Sequence, residues 1–246
     1  KRSNGLVEKI ADLDNLHEAF WKARKAKEDR LYVQNYRNEL NKNLLQLRDN
    51  IIRGKMPVGI YNYFTIYDPK ERIICAASFS ERVMHHALMN VCHQHFENYQ
   101  IFDSYASRKG KGTYAALARA AFFQKNYRWF LKLDVRKYFD SISHHILLEL
   151  LKRRFKESKL LSIFAAIIES YCTQPGKGVP IGNLTSQYFA NHYLAFGDHF
   201  IKEILKAKAY VRYMDDMVIW DNNKAVLLDV GKAFNHFVSE NLELDL

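Results

Sequence analysis

Three carboxylates are placed where they could do chemistry together. Asp215 and Asp216 are adjacent inside Ala209–Asp221, which reads Ala-Tyr-Val-Arg-Tyr-Met-Asp-Asp-Met-Val-Ile-Trp-Asp. A third, Asp134, closes the apolar run Trp129-Phe130-Leu131-Lys132-Leu133. Ala209–Tyr213 and Met217–Trp220 have the composition of strands, so the first pair sits at the tip of a hairpin. A turn explains one Asp there, because Asp is favoured in turns and depleted in strands. It explains two less well, since neighbouring like charges repel unless a cation lies between them. Two buried-looking strands that each deliver acid at one end predict an oxygen-rich site for hard divalent cations such as Mg²⁺.

The elements that must position these acids follow from the periodicity. Asp12 or Asp14 caps a helix to about Ala26, and a second helix runs from Leu31 through Ile51 to a stop at Gly54. Tyr61–Tyr67 and Arg72–Ala76 form a hairpin around Asp68-Pro69-Lys70-Glu71, with Lys70 and Arg72 near its tip. Ser80 caps a helix to Phe96, whose histidines complete no metal pattern and read as structural. Ser104–Thr113 is a basic glycine-rich loop without P-loop spacing, suited to a nucleic-acid backbone rather than a bound nucleotide. Helices follow near Ser143 and over Lys159–Tyr171. A breaker-rich loop, Thr173–Asn183, then leads into a helix over Thr185–Lys206. A helix over Lys224–Glu240 and a nascent strand, Leu242–Leu246, end the chain. This order predicts an α+β fold whose sheet is a split βαβ unit with helices on one face.

Composition narrows the class. The 246 residues are 48% hydrophobic and 14% aromatic, as in a globular chain with a sizeable core. Lys and Arg number 37 against 27 Asp and Glu, and a surplus of +10 points to a polyanionic partner, most simply nucleic acid. Cys75, Cys92 and Cys172 form no Cys-x-x-Cys pair, so neither a disulfide framework nor a zinc site is implied, and a reducing cytoplasm fits. No run is long and apolar enough for a membrane span, and no signal peptide is visible.

The ordered motifs resemble those of reverse transcriptases. Leu133-Asp134-Val135 with Tyr138-Phe139-Asp140, then Pro180–Gln187, then Tyr213-Met214-Asp215-Asp216 resemble the palm motifs of that family. Arg72, Arg82 and Ser104–Thr113 resemble finger motifs of the bacterial branch, shared with group II intron and retron enzymes. Where most members carry Gln-Gly-x-x-x-Ser-Pro, this chain reads Ile181-Gly182-Asn183-Leu184-Thr185-Ser186-Gln187. That departure resembles the reverse transcriptases of diversity-generating retroelements.

The resemblance implies a right-hand polymerase fold. It assigns the fingers to 1–97 and 145–179 and the palm to 98–144 and 180–246, with the thumb absent. It implies copying of a template-repeat RNA into error-prone cDNA from dNTPs, by a bacterial or phage-encoded enzyme working with a small basic accessory protein. It also implies two Mg²⁺ ions, with Mn²⁺ as a substitute, held by Asp134, Asp215, Asp216 and the Val135 carbonyl. Arg72 and Lys70 are expected on the triphosphate, Phe139 as a steric gate against ribose, Ile181 and Gly182 beside the nascent pair, and Arg108 and Gln187 on the template. Asp140 reads as structural. A retron- or defence-type enzyme and a non-catalytic nucleic-acid-binding palm are the alternatives.

Overall fold

The computed structural model describes residues 4–67 and 71–246, which divide into two compact units. The first comprises Lys1–His95 and His144–Ser186, the second Phe96–Ser143 and Gln187–Leu246. The tip of the first hairpin, with Lys70, lies outside the described residues.

The first unit opens with α1 (Val7–Ile10) and α2 (Leu13–Arg24), the latter capped by Asp12, whose Oδ1 accepts from Asp14 N–H at 2.9 Å. The single long helix expected next is two: α3 (Leu31–Asn38) and α4 (Leu40–Arg53). The break is local competition, because Asn43 Nδ2 donates to the Tyr36 carbonyl (2.9 Å) that a continuing helix would bond to Leu40 N–H. Gly54 ends α4 at φ +66°, in the left-handed region glycine tolerates best. Strands β1 (Tyr61–Tyr67) and β2 (Glu71–Ala77) pair antiparallel from Tyr61↔Ala77 to Tyr67↔Glu71. The helix α5 (Phe79–Glu97) follows, capped by Ser78 rather than Ser80: Ser78 Oγ accepts from Glu81 N–H, the third residue of the helix. Later in the chain α8 (His144–Lys152) and α9 (Ser158–Glu169) complete this unit, whose core includes Leu16, Phe20, Ile51, Leu88, Phe155 and Phe164.

The second unit holds α6 (Thr113–Asn126), β3 (Trp129–Leu133), the short α7 (Tyr138–Ser141), most of α10 (Leu184–His199) with a π-helical turn Phe200–Ile204, β4 (Ala209–Tyr213), β5 (Asp216–Asp221) and α11 (Lys224–Leu242). Its sheet is antiparallel, in the order β3-β5-β4. Because side chains alternate across a strand, Leu131, Ile219 and Tyr210 share one face and Phe130, Trp220 and Ala209 the other. On the first face α11 comes so close that a Cβ on Gly231 would lie 2.5 Å from Leu131 Cδ2. On the second, α6 packs Ala116 and Phe123 against Ala209, Val211 and Trp220.

Two further expectations differ from the structure. The run Trp129–Leu133 is a half-open edge strand, with Phe130 58% exposed, because α6 covers β4 and β5 but leaves β3 bare. Leu242–Leu246 forms no strand: α11 runs to Leu242, Glu243 turns at φ +51°, and one bond from Arg136 N–H to the Asp245 carbonyl (2.9 Å) ties the segment beyond β3. The architecture is otherwise the α+β one expected, with small antiparallel sheets packed by helices.

Candidate active site

The register of the second unit brings the acids to one end of the sheet. Leu133 pairs with Met217, so continuing by one residue sets Asp134 across from Asp216. Tyr213 pairs with Asp216, leaving Met214 and Asp215 as a two-residue turn between β4 and β5. Met214 takes φ +56°, the left-handed region that a non-glycine residue adopts at a cost of about 1–3 kcal/mol. Asp134 and Asp216 are exposed, and Lys132 Nζ lies 3.0 Å from Asp216 Oδ1. The Asp216 carboxylate also holds the Lys132 ammonium in its charged form. Among the described residues, no three His, Cys, Asp or Glu side chains converge closely enough to hold a metal ion. The donor set nevertheless suits a hard cation: carboxylates on adjacent strand ends, one of them already facing a positive charge.

What fixes the turn was not legible as a motif. Arg212 of β4 is fully buried and grips Asp198 of α10 through Nε (2.8 and 2.9 Å) and Nη2 (2.6 Å). Its Nη1 donates to Asn191 Oδ1 at 3.0 Å and to the Met214 carbonyl at 2.8 Å. Tyr210 O–H donates to the same Asp198 at 2.8 Å. Burial pushes the guanidinium pKa down, but the Asp198 carboxylate outweighs it and raises the value above that of a free arginine. The available signal is an arginine inside the apolar run Ala-Tyr-Val-Arg-Tyr, since a buried charge needs a partner.

Tyr138 and Phe139 part, one into the core and one toward solvent, within a helical turn entered through Lys137 at φ +47°. Tyr138 is buried, its hydroxyl on the Ala190 carbonyl at 2.5 Å, whereas Phe139 stays half-exposed, edge-on to it at 5.7 Å. Val135 is buried beside Asp134.

Arg108 is turned inward. It is 8% exposed, makes two bonds from Nε to Glu97, and donates through Nη1 to the Ile101 and Ser104 carbonyls at 2.6 Å. It clasps the start of the basic loop instead of presenting its charge to a template. Gln187 is exposed, its Oε1 accepting from Ser107 Oγ at 3.1 Å.

In the first unit, Ile181 and Gly182 lie along β2. The Ile181 carbonyl accepts from Cys75 N–H at 2.7 Å, and a Cβ on Gly182 (φ +115°) would sit 2.8 Å from Ile74 Cγ2. Arg72 is exposed on β2, paired with Ile66. Beneath the turn, Asn183, Thr185 and Ser186 are buried.

Comparison with known proteins gives this arrangement a family. Residues 68–245, more than half of the chain, match the family described as reverse transcriptase (RNA-dependent DNA polymerase), and the chain belongs to it. The COX1/OXI3 intron 1 protein of Saccharomyces cerevisiae is 20% identical over 183 residues, covering 71% of this chain and 21% of that protein. The COX1/OXI3 intron 2 protein of the same yeast is 20% identical over 180 residues, covering 70% and 20%. This chain thus spans about a fifth of either relative. Among solved structures, apo telomerase from Candida tropicalis superposes with a TM-score of 0.54 at 15% identity, over 75% of this chain and 48% of that one. A partial Cas6-RT-Cas1–Cas2 complex gives 0.52 at 18% identity, over 96% and 43%. At such identities the likeness is one of fold.

Proposed function

We propose that this protein is an RNA-directed DNA polymerase that extends a primer by nucleotidyl transfer, with the second unit as palm and the first as fingers. The observation that carries the reading is the ladder Leu133↔Met217, which sets Asp134 across from Asp216 with Asp215 in the adjoining turn. Asp134, Asp215 and the Val135 carbonyl, with Asp216 in support, would hold two Mg²⁺, for which Mn²⁺ can substitute. That pair supplies activation of the attacking 3′-oxygen and stabilisation of the leaving pyrophosphate. The Lys132–Asp216 contact, with both side chains more than half exposed, is a weak surface pair that opens readily to a divalent cation.

The remaining roles belong to the chain's own residues. Phe139 presents a half-exposed ring after Asp134, placed to exclude a 2′-hydroxyl by clash. Arg72 and Lys70 pair with the incoming triphosphate. Ile181 and Gly182 flank the nascent base pair, and Gln187 meets the template. The Ile181…Gln187 sequence supports the finer reading: error-prone copying of a template-repeat RNA, as in diversity-generating retroelements, aided by a small basic accessory protein. A net charge of +10 suits RNA and cDNA partners, and no helix among the described residues is long and apolar enough to cross a membrane.

Primer extension on an RNA template tests the proposal, with dNTPs against rNTPs and with or without the accessory protein. Extension with dNTPs that depends on a divalent metal supports it. Tight primer-template binding without extension under any metal contradicts it and leaves a binding domain.

A further inference from the structure

Between Ser104 and Leu133 the chain carries seven Lys or Arg and no Asp or Glu. Within that stretch α6 turns an unusual face outward. Tyr114 is 90% exposed and Phe122 54%, eight residues and so about 80° apart around the helix, with Leu117 also exposed on the flank beyond Tyr114. The opposite side of α6, with Ala116 and Phe123, is the one that packs on the sheet. Single exposed apolar residues need no explanation, but a stripe of them on one helix does.

Cations bracket this stripe. Lys125 lies three residues beyond Phe122 on the same side, and Lys111 lies just before the helix with its Nζ 3.7 Å over the exposed Phe102 ring. Arg119 stands between the rings, 5.8 Å from Phe102 and 5.5 Å from Phe122, held by Asp103. From Tyr114 to Lys125 the helix runs about 16 Å. Its start is fixed to the catalytic hairpin, because Thr113 Oγ1 donates to the Tyr213 hydroxyl at 3.1 Å.

We propose that the outer face of α6 is a binding track for single-stranded RNA, with Tyr114, Phe122 and Phe102 as stacking platforms and Lys111 and Lys125 as phosphate contacts. Aromatic platforms interleaved with cations are the chemistry by which proteins hold unpaired nucleic acid without regard to sequence, and the carboxylate nearest this face, Asp103, is buried and paired with Arg119. A protein partner is the poorer fit, since the cores of protein–protein interfaces are depleted in lysine. The track leads away from the carboxylate end of the sheet, so it would hold RNA that is not being copied at that moment. This deepens the polymerase reading and rests on it for the identity of the strand.

The test is fluorescence anisotropy with labelled poly(U) RNA, measured while a saturating unlabelled primer-template hybrid fills the catalytic site. Tyr114→Ala/Phe122→Ala should weaken RNA binding by about tenfold or more, given roughly 1–3 kcal/mol for each stacked base. Lys111→Gln/Lys125→Gln should lower the salt dependence of binding by about 1.4 in log–log slope, about 0.7 for each phosphate contact. Circular dichroism checks that the variants fold, which the exposure of Tyr114, Phe122 and Lys125 favours; Lys111 is half-buried, its Nζ donating to the Phe102 carbonyl. Unchanged RNA affinity in both variants overturns the proposal, as does a stripe that binds an acidic amphipathic peptide and not RNA. Primer extension on a short template separates the two readings. If wild type fails to extend but binds RNA through Tyr114 and Phe122, the polymerase assignment falls and the track stands.

Discussion

Arg212 Nη1 donates to the Met214 carbonyl at 2.8 Å, two residues along the chain, while the same guanidinium is locked on Asp198. The turn that carries Asp215 therefore hangs from a buried ion pair between β4 and α10. Met214 adopts an unfavourable φ, and a fully buried arginine with most of its donors bonded can hold it there.

Removing one partner exposes the cost of that design. Asp198→Ala leaves the Arg212 charge buried and unmatched, and should destabilise the fold by about 3–5 kcal/mol. The midpoint of urea denaturation reads this directly. A loss below about 1 kcal/mol would mean that water reaches Arg212 and that the pair does not support the turn.

Glu81 gives the first unit a pH signature. Burial raises its pKa to about 7, against which the Gly59 N–H at 3.2 Å pulls it down, and Oε1 faces His85 Nε2 at 3.6 Å. Between 4.5 and about 7 the unfolded chain has lost this proton and the folded chain keeps it, so stability falls as pH rises through that window. His85, pushed by burial and by His86 to about 3, works oppositely, removing stability as pH falls below 6.5. Glu81→Gln should abolish the Glu81 slope and add on the order of 1–2 kcal/mol at pH 8. Thermal melts from pH 5 to pH 8, in which variant and wild type show parallel slopes, would remove Glu81 from this role.

Phe139 should act by exclusion. Phe139→Ala is expected to admit rNTPs while largely sparing dNTP use, since the ring contributes a clash and not an attraction. The measurement is the dNTP/rNTP ratio in primer extension. Equal ratios for the two proteins would make Phe139 only a packing partner of Tyr138.

Ile181 carries the fidelity prediction. Related enzymes place Gln here, and Ile removes a donor and an acceptor at similar volume. One lost polar check is worth about 1–1.5 kcal/mol, about tenfold in error rate. Ile181→Gln should therefore lower misincorporation, most of all opposite template adenine, as read by sequencing cDNA from one RNA. Retained activity with the adenine error rate unmoved would confine Ile181 to packing along β2.

Much of this was legible because it is local. Asp12 and Gly54 mark helix ends by their own hydrogen bonds and φ preference, and the hairpin around Asp215 and Asp216 announces itself by composition. Non-local facts were not. Trp129–Leu133 reads as a buried strand until it is known that α6 stops short of it. The helix break near Glu39 depends on one side chain, Asn43, outcompeting a backbone donor. Arg108 resembles a free phosphate ligand until Glu97, eleven residues upstream, is seen to hold it. The acids themselves could be named from sequence, but their alignment rests on the register of β3 against β5, and the support of their turn on Asp198.

The central claim is that Asp134, Asp215 and Asp216 form one divalent-metal centre for nucleotidyl transfer. Its most direct test is Mg²⁺-dependent primer extension by wild type, Asp134→Asn and Asp215→Asn, with urea denaturation of each in the absence of metal. The account predicts that extension falls by several orders of magnitude in both variants while metal-free stability holds or rises, because one of several crowded negative charges has gone. Near-normal Mg²⁺-dependent extension in either variant would contradict it.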